Sequence, residues 1–218
     1  GRLIEFTAAC SPFFYRGNSL PDDYYGNAFV CEPSGNLIKR NVVNENGYTL
    51  SAYDPTPGKE FLASTDERFR PVYLTSGPDG ALYVADMYKG LIQYGAYATP
   101  YLLDQTLARK LDQPVHYGRI WRIVSKNSKP TAGAKLSVAS TDELVNQLSS
   151  NNGWTRDIAQ RLLVEKNDSI SIRLLKDVIL KSENYLARFH ALWTLQGLND
   201  IDSDFLFRVL KDKNVIVR

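Results

Sequence analysis

The chain has 218 residues, 44% hydrophobic and 23% charged, with 26 basic and 24 acidic side chains for a net charge of +2. That is an ordinary globular composition, long enough for one large or two small domains. So even a balance gives no electrostatic reason to expect nucleic acid or an anionic membrane as partner, and no apolar run approaches the roughly 20 residues of a membrane-spanning helix.

The chain opens directly in strand-like sequence, without a basic-then-apolar leader, as if it began mid-domain. Residues 3–9 predict a first strand, 27–31 a second, 37–43 a third and 48–53 a fourth. The connections are polar or turn-rich: 15–23, Pro33-Ser34-Gly35-Asn36 and Asn44-Glu45-Asn46-Gly47. Four short strands with turns between them make one blade-sized antiparallel unit. Asp54-Pro55-Thr56-Pro57-Gly58 breaks the pattern. Val72 and Leu74 then alternate with polar neighbours, Gly77-Pro78-Asp79-Gly80 supplies turn chemistry, and Leu82, Val84 and Ala85 continue in a second strand. This hairpin ends on Asp86 and Tyr88. It suits the inner strands of a β-propeller blade, and equally any antiparallel hairpin. Residues 89–114 read as an insertion with a short helical pattern at 102–111. Residues 118–124 alternate strictly and give a further strand, and 125–135 read as a linker.

From Thr141 the hydrophobic period becomes helical. Helices are expected from Thr141, over 154–164, 169–180, 185–198 and 203–210. Arg156 is followed three residues on by Ala159, and Arg188 by Ala191. Arg218 stands at the matching place, so the arginines recur at a period of about 30 residues, the mark of a helical-pair repeat of HEAT type; a helical bundle is the plainer alternative. The fold class is therefore β plus α in two domains: propeller blades over 1–126, a linker over 127–139 and an α-solenoid over 140–218, both domains incomplete. Open sheet edges and an uncapped repeat end predict further polypeptide, as a longer chain or as neighbouring subunits.

Chemistry is faint. Arg70, Asp86 and Tyr88, at the ends of the hairpin strands, are the residues expected to touch a ligand. Arginine would grip an anion, aspartate a calcium ion or a sugar hydroxyl, and tyrosine a sugar ring. The structural alternative is that Asp86 caps the turn after it and Arg70 pairs with it to lock the sheet. Asp22-Asp23 and Asp66-Glu67 read as solvated loop charges rather than a general acid/base pair. Tyr24, Tyr25, Tyr94, Tyr97 and Tyr101 fall in loops, either as a carbohydrate-stacking surface or packed with wet hydroxyls. His190 reads as a packing or capping residue and His116 as exposed. Cys10 and Cys31, in neighbouring strands, allow either a disulfide or two buried thiols. Without a Cys-x-x-Cys-His run the chain attaches no c-type haem, and no metal site is expected.

Several segments together resemble a known family: Phe6-Thr7-Ala8-Ala9-Cys10-Ser11-Pro12, Tyr25-Gly26-Asn27-Ala28-Phe29-Val30-Cys31-Glu32-Pro33, Gly77-Pro78-Asp79-Gly80-Ala81-Leu82-Tyr83-Val84-Ala85-Asp86-Met87-Tyr88, Gly118-Arg119-Ile120-Trp121-Arg122-Ile123 and Trp154-Thr155-Arg156-Asp157-Ile158-Ala159. They resemble large exported bacterial proteins of the membrane-bound-dehydrogenase-like or haem-binding-domain type. The resemblance implies a propeller similar to that of quinoprotein sugar dehydrogenases, then HEAT-like repeats and often a terminal cytochrome domain. This chain would hold the last blades and first repeats, in the periplasm or on the outer cell surface. It further implies pyrroloquinoline quinone and calcium as cofactors of the full propeller, with electrons passed to a haem domain not present here. The fragment itself would be inactive, and the cysteines would form a disulfide. The alternative is a non-catalytic scaffold that binds glycan or other envelope proteins.

Overall fold

The computed structural model describes residues 6–92, 95–128 and 133–218. The chain divides into two units, Gly1–Gly77 with Ala81–Lys129, and Pro78–Gly80 with Pro130–Arg218. The fold is mixed β and α, with antiparallel sheets in the first unit.

The first sheet holds β1 (Cys10–Phe14), β2 (Ala28–Glu32), β3 (Leu37–Asn46) and β4 (Thr49–Tyr53) in that order, with the short β5 (Leu62–Ala63) also paired to β3. Of the strand expected over 3–9, residues 3–5 lie outside the described residues, and 6–9 are not strand. β3 runs three residues past its expected end, because its second half pairs with β4 beyond the reach of β2. β5 has no alternating pattern of its own; two residues are too few to show one. In the turn between β2 and β3, Glu32 accepts from the Ser34 N–H, and Asn36 takes the left-handed backbone (φ 56°) that asparagine tolerates better than most side chains.

The second sheet is the meander β6 (Pro71–Ser76), β7 (Leu82–Asp86) and β8 (Arg119–Ile123). Ser76 pairs with Leu82, and Gly80 (φ 72°) supplies the left-handed residue that closes the hairpin. Leu74, Leu82 and Val84 face inward and share one core with Phe29, Cys31 and Ile38 of the first sheet. Tyr15 is fully buried there, and its hydroxyl accepts from the N–H groups of Ser19 and Leu20, both at 3.0 Å. A bulge at Ser11 (φ 50°) turns the Ser11 hydroxyl onto the Leu74 N–H, which donates to it at 3.0 Å and ties β1 to β6. The expected insertion carries α1 (Pro100–Ala108), N-capped by Thr99 with Pro100 in its first turn.

Cys10 and Cys31 stand directly opposite in the β1–β2 register. The disulfide that the resemblance implies is not formed in this structure. Both cysteines are free thiols, and Cys10 Sγ is turned to the Val72 carbonyl at 3.7 Å. Burial pushes the Cys31 thiol up to about 12, and burial ahead of Glu32 raises Cys10.

The second unit holds α2 (Thr141–Gln147), α3 (Gly153–Lys166), α4 (Ser169–Lys181), α5 (Tyr185–Gly197) and α6 (Ser203–Val209). Each begins on a side chain that accepts a backbone N–H: Ser140 in a capping box with Glu143, then Asn152, Asp168, Asn184 and Asp202. Leu148, Leu163, Leu175, Ile179, Ala191 and Leu195 lie in one buried cluster. The recurring arginine is part of a larger repeated unit. The Ser150 side chain accepts from the Asn152 N–H, Asn152 caps α3, and Arg156 Nη1 returns to the Ser150 carbonyl. Ser182, Asn184 and Arg188 repeat those bonds at α5. Asp212 and Asn214 begin a third round, with the Asn214 N–H on Asp212 Oδ1 and the Ile216 N–H on Asn214 Oδ1. Arg188 then grips Asp212 with two bonds, Nε to Oδ2 at 2.7 Å and Nη2 to Oδ1 at 2.8 Å.

Candidate functional site

Arg70, Asp86 and Tyr88 do come together, but they face one another through the backbone. Asp86 is 3% exposed. Its Oδ1 accepts the N–H groups of Arg70 and Tyr88, both at 2.8 Å, and its Oδ2 accepts Trp121 Nε1 at 2.9 Å. A carboxylate holding three N–H groups, from β8 and from the residues just before β6 and just after β7, is an internal clasp. The Arg70 guanidinium is not its partner. Nε donates to the Lys89 carbonyl at 3.2 Å, Nη1 to Pro33 at 2.6 Å and Nη2 to Gly90 at 2.7 Å. Arg70 therefore locks the unit as the structural alternative expects, but by carbonyls rather than by an ion pair.

Tyr88 sits at φ 44°, an uncommon conformation for an aromatic residue. The Asp86 bond to its N–H and a hydroxyl bond to Asp66 Oδ2 at 2.9 Å hold it there. The Arg119 guanidinium lies over its ring, 3.5 Å from the centroid. The Arg68 N–H above all, with help from the Tyr88 hydroxyl, holds the Asp66 carboxyl below the usual aspartate range against the opposing effect of burial, which ranks between the two.

Calcium does not fit these residues. Both Asp86 oxygens already accept N–H groups, and among the described residues no three or more His, Cys, Asp or Glu side chains converge as a metal site would require.

A cleft of about 360 Å³ opens beside this clasp, within the first unit. Ser34, Glu67, Arg70, Tyr101, Gln105 and Arg109 bring polar groups to it. α1 forms one wall. Gly90 lets the chain after α1 approach: a Cβ there would stand 2.5 Å from the Leu111 carbonyl oxygen. Arg109 Nη1 pairs with Glu67 Oε1, and Nη2 reaches Gln105 Oε1 at 3.4 Å. Tyr101 is 73% exposed.

The other expectations resolve individually. Tyr24 is no loop platform: it stacks on Phe29 and lies under the Arg40 guanidinium. Tyr97 and Tyr101 are exposed, and Tyr94 lies outside the described residues. Asp23 pairs with Arg40 at 3.3 Å. Asp66 and Glu67 diverge, one to Tyr88 and the other to Arg109. His116 is exposed. His190 is buried between Arg156 Nε, 3.3 Å from its Nε2, and Gln160 Oε1, 2.7 Å from its Nδ1. Arginine only donates, so Nε2 accepts and Nδ1 carries the proton.

The family described as Domain of unknown function (DUF7133) matches residues 1–127. The chain belongs to this family. The DUF7133 region contains both sheets, the Asp86 clasp and the whole cleft, whereas helices α2–α6 follow it. No curated protein and no solved structure matches the chain.

Proposed function

We propose that this chain is a non-catalytic binding and scaffold part of an exported bacterial propeller–HEAT protein, in the periplasm or on the outer cell surface. The observation that carries the non-catalytic reading is the engagement of Asp86. The only acid expected to meet a ligand is buried, and both its oxygens hold internal N–H groups. Arg70 and Tyr88 are likewise tied into the fold. In this reading the β6–β7–β8 meander and the sheet before it are the last blades of a β-propeller. The Ser/Asp–Asn–Arg unit repeated at α3, α5 and residue 212 supports HEAT-like repeats for the helices. Glycan or envelope proteins are the ligands, and the remaining blades or neighbouring subunits are the structural partners. Any quinoprotein-type sugar or alcohol oxidation, with electron transfer to a cytochrome domain, belongs to a longer protein.

The test is to incubate the chain with pyrroloquinoline quinone, calcium and a panel of sugars and alcohols, and in parallel to screen it on a glycan array. Binding without dye reduction is expected. Turnover by residues 1–218 would overturn the reading.

A further inference from the structure

We propose that the cleft beside α1 is a binding site for a small hydroxylated carboxylate, either the uronate end of an acidic glycan or a free sugar acid. This deepens the binding reading and rests on it. The argument starts from Arg70. Its guanidinium lines the cleft, and every bond it makes is to a neutral carbonyl. Among the described residues no carboxylate lies within ion-pair distance of it. Nη1 and Nη2 each retain a second N–H. The acid it feels is Glu67, which is directly paired with Arg109 instead; a partly buried cation with no directly paired counter-ion favours an anionic ligand, because the low local dielectric strengthens the attraction. The second cleft cation, Arg109, is paired with Glu67. The two arginines and one glutamate thus leave the cleft net positive and rich in N–H donors. Gln105, Ser34 and the exposed Tyr101 supply hydroxyl and amide partners at the rim, with a ring face for stacking. A volume of about 360 Å³ suits a ligand of monosaccharide size, at the small end of the usual range for ligand pockets.

Titration calorimetry of the whole chain with methyl glucuronide, gluconate, methyl glucoside and inorganic phosphate tests this. One or both acids should bind more tightly than the glucoside and the phosphate, and which of them binds identifies the source. Arg109→Gln should weaken acid binding about tenfold or more, the usual consequence of losing a charge-assisted bond. Glu67→Gln should strengthen it severalfold by removing the competing anion, an effect that damage to the fold would not produce. The proposal fails if neither acid binds, if the glucoside or phosphate binds as well as the acids, or if Glu67→Gln weakens binding. Neutral glycan binding on the array alongside failure here would leave the scaffold reading standing.

Discussion

Two buried charge arrangements, one in each unit, differ. At α5 charge meets charge: Arg188 and Asp212 form a bidentate pair with side chains 4% and 10% exposed. At the ends of the β6–β7 hairpin the two charges avoid each other. Asp86 takes N–H groups from three residues, and Arg70 takes three carbonyls, although the two residues touch through the Arg70 backbone. The first arrangement is electrically closed and purely architectural. The second leaves a cation with no carboxylate in ion-pair distance among the described residues and with N–H groups to spare, at the wall of a cleft.

The largest effect expected from breaking this comparison is at Asp86. Asp86→Ala orphans three N–H groups at once, at about 1–3 kcal/mol for each buried group. Denaturant unfolding should show the β unit losing about 3–5 kcal/mol, or failing to fold. Asp212→Ala comes next. It strands Arg188 in the helical unit and should cost about 3 kcal/mol, read from the helical circular dichroism signal. The same pair carries an acid dependence. The Arg188 bonds, ahead of the Asn214 N–H, hold the Asp212 carboxyl below the usual aspartate range. Its contribution is therefore present above about pH 3.9, the ordinary aspartate value, and is lost as pH falls through the depressed one. Asp212→Ala should remove that part of the acid sensitivity.

Gly90→Ala sharpens the other side. The added methyl meets the Leu111 carbonyl and side chain, so the wall behind α1 must shift, at about 1–3 kcal/mol. Ligand binding should fall with it while the helical unit melts unchanged. The smallest effect concerns Cys31, whose raised pKa keeps the folded thiol protonated where the unfolded one ionises. Under reducing conditions, stability of the β unit should decline as pH rises above about 8.5, the ordinary thiol value. Cys31→Val should flatten that decline, and native Cys31 should react with Ellman's reagent only on unfolding.

Much of the architecture is legible in the order of residues. The β6–β7 hairpin follows from alternation around Gly77-Pro78-Asp79-Gly80, and α2–α6 follow from apolar spacing behind Ser, Asn and Asp caps. Even the repeated arginine is visible as a period. These signals are local, because turn chemistry, capping and periodicity act within a few residues. Of the cleft, by contrast, only Arg70 and Tyr101 were marked by residue type and position, and neither by its true partner. Ser34, Gln105 and Arg109 carry no signal of their own, and Glu67 reads as a loop charge.

What the sequence by itself determined is most of the strands and helices, the hairpin around Gly77-Pro78-Asp79-Gly80 and α2–α6 above all, but not β1 or β5. Only the tertiary structure decided where the charges go. Arg70 reaches a carbonyl 37 residues away, Arg109 a carboxylate 42 away and Trp121 the Asp86 carboxylate 35 away. Those choices depend on which groups the packed core leaves without water, and on which donors and acceptors then stand within 3 Å or so of each other. No local pattern carries that information. The same Asp86 and Arg70 therefore read as a ligand pair in the chain and become, in the fold, a clasp and a cleft wall.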